Sequence, residues 1–160
     1  MALNTNQLYS ESTRAGLPAI QPQEGPGAVV ARTFSDATSS ETLPVGTPVY
    51  AVLATGELSK CVPTATSGAE LDVIGFVYPT PVTLVSGSQV VGTVMMRGSI
   101  PLDVVEAMNT VDGGSGVLAG TKEEIQDMLR KPGLHDRGLH IDGLTRIGAT
   151  TDALGNDNPA

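Results

Sequence analysis

The chain has 160 residues, 40% of them apolar, which is enough for one domain with a single core and a terminal segment. Its formal net charge is −8 and it has only nine Lys and Arg residues. This argues against nucleic-acid binding, because affinity for a phosphate backbone depends on cationic contacts. Aromatic residues make up 3% and Trp is absent, so an aromatic-lined pocket for a small organic ligand is difficult to build in one subunit.

The chain also lacks the sequence features of exported and membrane proteins. No run of residues approaches the roughly 18 apolar residues of a membrane span. No cationic segment followed by an apolar one opens the chain, as it would in a secretory signal. We therefore expect a soluble protein made in the cytoplasm, with no membrane or nucleic-acid partner.

Residues 1–27 predict an extended N-terminal arm. Three Pro and two Gly residues lie between positions 18 and 27, and the segment lacks the periodic apolar residues needed to bury itself. We expect such an arm to lie on another molecule. The arm residues predicted to make these contacts are Leu8, Tyr9, Leu17, Pro18 and Ile20.

Short apolar runs separated by turn residues predict a mainly β domain over residues 28–154. The pattern favours a compact β-barrel or β-sandwich, and the sequence leaves this choice open. Gly75 inside one run predicts a bulge or a close backbone approach. A small-polar loop is predicted at 35–42, and residues 100–105 continue the apolar spacing. The predicted strands cover residues 28–34, 48–53, 58–62, 73–78, 82–85 and 89–97, with one more strand or hairpin at 139–147.

Residues 121–131 predict one short C-terminal helix. Thr121 can cap its N-terminus and Glu124 can complete a capping box, and three apolar residues in the following turns share one face. The pair Pro132 and Gly133 is expected to end the helix. The last six residues, 155–160, are expected to form a flexible tail.

Met95 and Met96 are predicted to divide between the core and an interface. Their flexible thioether side chains suit an adaptable contact surface. Because side chains alternate along a strand, one of them should point inward and the other outward.

A polar cluster near the C-terminus contains the two histidines. His135 and His140, with Asp136 and Asp142, could suggest a metal site or a hydrolase. However, residues five positions apart point in different directions both on one strand and on one helix. We therefore predict no metal and no cofactor here.

The other reactive groups favour structural roles. Cys61 is the only cysteine and is expected to pack as a small hydrophobic residue. The segment Gly114–Gly116 does not have the spacing of a dinucleotide or phosphate loop, and indicates a flexible loop. Glu123, Glu124 and Asp127 lie in the first turns of the predicted helix, where the helix dipole favours negative charge. We therefore predict no catalytic residue and a protein that is not an enzyme.

Five segments in the first hundred residues follow one another in an order that resembles a known class of virion protein. These segments are Ala15–Ile20, Arg32–Phe34, Leu43–Val49, Val73–Val77 and Gly92–Gly98. Their order is similar to that of the structural cement, or head decoration, proteins of tailed bacteriophages. The similarity covers roughly residues 15–98, and the segment after about residue 102 does not align.

The resemblance implies a small β domain, usually a homotrimer, that binds the major capsid protein on the outer capsid surface of the virion. It implies no catalytic residue. We therefore expect a capsid decoration protein that stabilises the phage head against the pressure of packaged DNA. Two alternatives remain open: another virion structural β protein, such as a spike base or tail component, and a hydrolase that uses Asp136 or His140.

Overall fold

The structure is a computed structural model that describes residues 20–144. The protein is mainly β, and these residues form ten strands, three α-helices and one short 3-10 turn at Ala69–Leu71. The strands are β1 Gln21–Pro22, β2 Val29–Phe34, β3 Glu41–Leu43, β4 Pro48–Ala51, β5 Leu58–Lys60, β6 Gly75–Val77, β7 Val82–Leu84, β8 Val90–Met95, β9 Gly98–Pro101 and β10 Leu139–Asp142. The helices are α1 Leu102–Glu106, α2 Lys122–Leu129 and α3 Pro132–Asp136. None of the helices in the described range is both long and apolar enough to span a membrane.

Parts of three predicted segments lie outside the described residues. These are residues 1–19 of the predicted arm, residues 145–154 of the predicted β domain and the predicted tail at 155–160.

Five strands form a closed barrel in the order β2, β5, β4, β6 and β8. Strands β2 and β8 pair antiparallel over their whole length, from Val29 opposite Met95 to Phe34 opposite Val90. The barrel closes through a single parallel pair, in which Phe34 of β2 lies opposite Leu58 of β5. Of the two architectures that the sequence left open, the strands form the barrel.

The barrel interior is filled by aliphatic side chains and one aromatic ring. Alternate residues of the barrel strands point inward. Strands β3 and β7 form a separate antiparallel pair and contribute Leu43 and Val82 to the same core. This core consists of Phe34, Leu43, Val49, Leu58, Val77, Val82 and Val94.

A second core lies between the outside of the barrel and a layer of helices and sheet. In β6, Phe76 faces this second core while its neighbour Val77 faces the barrel interior. Strands β1, β9 and β10 form a three-stranded sheet in this layer, with β9 in the centre. The buried residues of the second core are Cys61, Leu71, Val73, Phe76, Met95, Ile100, Val105, Met108, Leu118, Ile125, Met128, Leu129, Leu134 and Leu139.

Several local predictions are confirmed. Strands β4 and β5 form the predicted hairpin, with Val49 opposite Lys60. A Cβ at Gly75 would lie 2.8 Å from the carbonyl oxygen of Met95, so the predicted close backbone approach is present. The predicted capping box of α2 is also present: the backbone N–H of Glu124 donates to Thr121 Oγ1 (3.1 Å), and the backbone N–H of Thr121 donates to Glu124 Oε2 (2.9 Å).

Other local predictions are wrong. The apolar spacing at 100–105 does not continue as a strand, because β9 ends at Pro101 and the chain turns into α1, where Val105 is buried. One helix was predicted, but the described residues form three. The predicted helix does end before Pro132, yet Pro132 begins the further helix α3, since proline is well suited to the first turn of a helix. The predicted polar loop at 35–42 runs into β3, whose partner β7 lies far away along the chain.

The glycine-rich segment before α2 is held by a buried asparagine. Asn109 is fully buried, and its Oδ1 accepts hydrogen bonds from the backbone N–H groups of Asp112 (2.6 Å) and Gly114 (3.2 Å). Its Nδ2 donates to the carbonyl oxygen of Glu106 (2.7 Å). A Cβ at Gly114 would lie 2.6 Å from the carbonyl oxygen of Ala107, so glycine is required there. This segment, predicted to be a flexible loop, is therefore hydrogen-bonded to the body.

Candidate functional site

The described end of the predicted arm is attached to the body by main-chain pairing. Strand β1 pairs antiparallel with β9, with Gln21 opposite Ser99 and Pro22 opposite Gly98. The backbone N–H of Gln23 donates to the carbonyl oxygen of Arg97 at 3.1 Å. We call these residues of β1 and β9, together with Gln23 and Arg97, the arm seat.

Gly98 makes the arm seat sterically possible. Its φ is +145°, a backbone conformation that residues other than glycine rarely adopt. A Cβ at this position would lie 2.4 Å from the carbonyl oxygen of Gln21 and 2.7 Å from the Cα of Pro22. Any larger residue would therefore push β1 away from β9.

Arg97 joins the arm seat to the C-terminal part of the body. Its Nη2 donates to the carbonyl oxygen of Pro26 at 2.5 Å. A Cβ at Gly138, in the turn between α3 and β10, would lie 3.3 Å from Arg97 Cγ, so the side chain passes close to this turn. The Nε of Arg97 is buried and has no hydrogen-bond partner among the described residues. Arg97 thus contacts both the segment that follows β1 and the turn that precedes β10.

The sheet topology fixes where the described chain begins and ends. Because β1 is antiparallel to β9, Ile20 lies toward the Pro101 end of β9. Strand β10 is parallel to β9 and ends with Asp142 opposite Pro101. The described chain therefore begins and ends at the same end of the three-stranded sheet.

Of the five predicted arm contacts, only one lies in the described residues. Leu8, Tyr9, Leu17 and Pro18 lie outside them. Ile20 is half-buried and packs against the second core of its own subunit. It therefore anchors the start of β1 to the body.

The two predicted interface methionines both contact the protein's own cores. Met95 is fully buried in the second core. Met96 is half-buried and packs against the core of the barrel. Neither side chain offers a large free surface to a partner.

The side chains of β2 and β8 that point away from the barrel interior are uncharged, and the sequence patterns did not single them out. Charged residues border them, because Arg32 and Glu57 line the same cleft as Ala31, Thr33 and Val91. Residues directly opposite each other in an antiparallel pair share a face, and here Ala31 lies opposite Thr93 and Thr33 opposite Val91. Val91 is 71% exposed and Val29 is 37% exposed. We call Val29, Ala31, Thr33, Val91 and Thr93 the β2–β8 outer face. The signal that could have identified this face is the run of uncharged residues at alternate positions, 29, 31 and 33 in β2 and 91 and 93 in β8.

His135 and His140 lie together, contrary to the sequence prediction that they diverge. His135 is exposed on α3 and His140 is exposed on β10, and their ring centroids are 5.0 Å apart with the planes inclined by 74°. The prediction assumed one continuous strand or helix, but a turn at Gly138, with φ of +84°, separates the two elements. The rings line a cleft of about 180 Å³ together with Arg130 and Asp142.

An ion pair fixes the turn that brings the two histidines together. Arg137 donates from Nη1 to Asp72 Oδ1 (3.0 Å) and to the carbonyl oxygen of Val73 (2.8 Å). Its Nη2 donates to Asp72 Oδ2 at 3.2 Å, which gives a two-point contact with the carboxylate. The turn between α3 and β10 is thus attached to the segment that precedes β6.

The remaining reactive side chains have structural partners or are buried. Burial, and to a smaller extent the negative charge of Asp72, raises the pKa of the Cys61 thiol well above its ordinary value. The thiol therefore stays protonated and is a poor nucleophile. Glu124 is held in the capping box, and Asp127 Oδ1 pairs with Arg130 Nη1 at 2.9 Å.

Among residues 20–144, no three His, Cys, Asp or Glu side chains lie close enough together to form a ready metal site. The sequence matches no known family model and no curated protein. The function is therefore inferred from the geometry of the described residues.

Proposed function

We propose that the protein is a capsid decoration protein, which binds the major capsid protein on the outer surface of a tailed-phage head. It acts without catalysis, as a homotrimer, and stabilises the shell against the pressure of packaged DNA. The observation that carries the proposal is the arm seat: the last residues of the arm are fixed to the outside of a compact β body by main-chain pairing.

The arm seat supports a binding role for the residues that precede it. Main-chain pairing of an extended segment with a sheet edge gives affinity with little dependence on side chains. Ordering such a segment costs about 1–2 kcal/mol per residue. Because β1 is already held on the body, this cost falls on residues 1–19 alone. In this mechanism Leu8, Tyr9, Leu17 and Pro18 contact the capsid, while Ile20 anchors the arm to its own subunit.

The β2–β8 outer face supports self-association. Each chain carries a net charge of −8, so copies of the protein repel one another through most of their surfaces. The β2–β8 outer face consists of uncharged side chains and includes the exposed Val91, so it reduces this repulsion, although Arg32 and Glu57 lie at its border. Three bodies joined in this way would bind the shell more tightly than one, because each bound arm holds the other two near their sites.

The proposal is tested with a protein that lacks residues 2–19. The cut lies before Ile20, so that β1 and its contacts with the second core are kept. The full chain and the truncated chain are mixed with expanded phage shells and sedimented, and the amount of each protein that sediments with the shells is measured. We expect the full chain to sediment with the shells and the truncated chain to remain in solution.

Two controls make the test specific. The truncated chain should keep the melting temperature and the number of subunits of the full chain, because the removed residues precede the body. Electron microscopy of labelled full chain should show many copies over the whole head, whereas a spike base or tail component would bind at a few positions. Equal binding of the two chains would refute the arm mechanism.

A further inference from the structure

We propose that His135 and His140 form a two-histidine site for a divalent transition metal ion, with zinc as the ion to test. The site goes beyond the proposed function and does not depend on it. It joins α3 to β10, beside the position where the described chain ends.

The separation of the two rings fits coordination of one ion. A zinc ion about 2.1 Å from one nitrogen of each ring, with tetrahedral angles, places the two ring centroids about 5 Å apart. The observed separation is 5.0 Å, and the planes are inclined by 74° and therefore not stacked face to face. Both side chains are exposed, so small rotations of the rings can direct one nitrogen of each toward a shared position.

The composition of the chain makes this pair its best site for zinc. Zinc prefers histidine nitrogen and cysteine sulfur as ligands. The chain has only two histidines and one cysteine, and Cys61 is buried in the second core. The only two imidazoles of the protein are therefore in contact with each other, and no second accessible set of such ligands competes with them.

The charges around the cleft permit a cation. Arg130 lines the cleft and its positive charge opposes binding, but its guanidinium group is held along α2 by Asp127 (2.9 Å) and Gln126 (3.2 Å). Asp142 lines the same cleft and supplies a negative charge. Asp142 and His140 are two positions apart on β10, so both side chains extend from the same face of the strand. Water molecules are expected to complete the coordination.

Binding would stabilise the contact between α3 and β10. An ion that binds the folded chain better than the unfolded chain raises the stability of the fold in proportion to the logarithm of its concentration. Since the two ligands lie on different elements, the ion acts as a link between them. The link adds to the ion pair between Arg137 and Asp72 that holds the same turn.

The test measures zinc binding to the full chain by titration calorimetry after treatment with a chelator. We expect one zinc ion per chain and a melting temperature that rises with zinc concentration. His135→Ala and His140→Ala should each lose this binding. Asp136→Asn is the matched control, because Asp136 is exposed on α3 but does not line the cleft, and it should bind zinc as the unmodified chain does.

A second measurement does not rely on the variants. X-ray absorption spectra of the zinc-loaded full chain should show two imidazole ligands. The proposal is overturned if the spectra show oxygen ligands alone, or if a His135→Ala/His140→Ala chain binds zinc as well as the unmodified chain. Phage shells are not used, so the outcome is independent of the capsid-binding test.

Discussion

Replacing Gly98 by alanine should release the arm seat. The substitution adds a Cβ that would lie 2.4 Å from the carbonyl oxygen of Gln21 and 2.8 Å from the Sδ of Met95, at a φ of +145°. A non-glycine residue in such a conformation costs about 1–3 kcal/mol. The steric overlap adds about 1–3 kcal/mol more, as in an overpacked core.

The structure limits how large this cost can become, because β1 can move away. Its release loses main-chain hydrogen bonds worth about 1 kcal/mol each, including the bond from Gln23 to Arg97. It also exposes part of Ile20, which costs about 1 kcal/mol. We therefore expect Gly98→Ala to lower the free energy of unfolding by about 2–4 kcal/mol, with most of the change in residues 20–27.

Gly25→Ala is the matched control. Gly25 lies in the same segment and has a φ of +114°, but a Cβ there would have no heavy atom within 4 Å. Gly25→Ala therefore has the free-energy cost of an unfavourable φ but no steric overlap. The expected difference between the two variants is therefore about 1 kcal/mol, which corresponds to about 2–4 °C in melting temperature.

Thermal unfolding and hydrogen exchange together check this prediction. In Gly98→Ala, the backbone amide of Gln23 should exchange faster than in the unmodified protein, while the amides of β2 should remain protected. If Gly98→Ala and Gly25→Ala have the same melting temperature and the same exchange at Gln23, the reasoning about the arm seat is wrong.

Two further predictions concern self-association and the buried thiol. If the proposed trimer forms through the β2–β8 outer face, Val91→Asp should reduce the solution mass measured by light scattering to that of the monomer, because it adds a charge to this face. Leu53→Asp, at a loop residue that is 88% exposed, should leave the mass unchanged; an unchanged mass for Val91→Asp would exclude this face as the interface. Burial raises the pKa of the Cys61 thiol in the folded protein, so the folded state keeps this proton to a higher pH than the unfolded state does. The stability that this difference contributes is fully present below about pH 8.5, the pKa of an unfolded thiol, and is lost as the pH rises above that value. The free energy of unfolding is measured by chemical unfolding between about pH 8.5 and 10.5. It should fall with pH more steeply in the unmodified protein than in Cys61→Ala, by up to about 1.4 kcal/mol per pH unit. Equal slopes of the free energy of unfolding against pH for the two proteins would contradict this.

The sequence predicted those elements whose signals are local. The strand at β2 and the hairpin of β4 and β5 follow from apolar runs around a short turn. The capping box of α2 needs only Thr121 and Glu124, three positions apart. The close approach at Gly75 could be anticipated because a glycine inside a strand usually has a steric reason.

Elements that depend on distant partners were missed. The sequence around β3 predicts a polar loop, and the segment forms a strand because it pairs with β7. The apolar run that includes α1 fits a strand as well as a helix, and a helix of five residues is too short for its period to be recognised. Closure of the barrel rests on one pair, Phe34 and Leu58, which no local pattern indicates.

The candidate sites show the same division between local and distant information. The contact between the two histidines was missed because the spacing argument assumed a single element, whereas α3, a turn and β10 bring residues 135 and 140 together. The arm was predicted from its composition, but the pairing of Gln21 and Pro22 with β9 was not. The arm seat depends on Gly98, which lies more than seventy residues after β1. It also depends on the pairing of β1 with β9, which no pattern in the sequence of the arm indicates.

The unequal lengths of the strand pairings determine how the protein responds to a pulling force on its arm. Strand β1 is held by two residue pairs, whereas β2 is held to β8 by six. Tension would therefore detach β1 first and release residues 20–27, which span at most about 28 Å when fully drawn out. The released segment lengthens under load while the barrel stays intact, so a partner that pulls on the arm can move relative to the body without unfolding it.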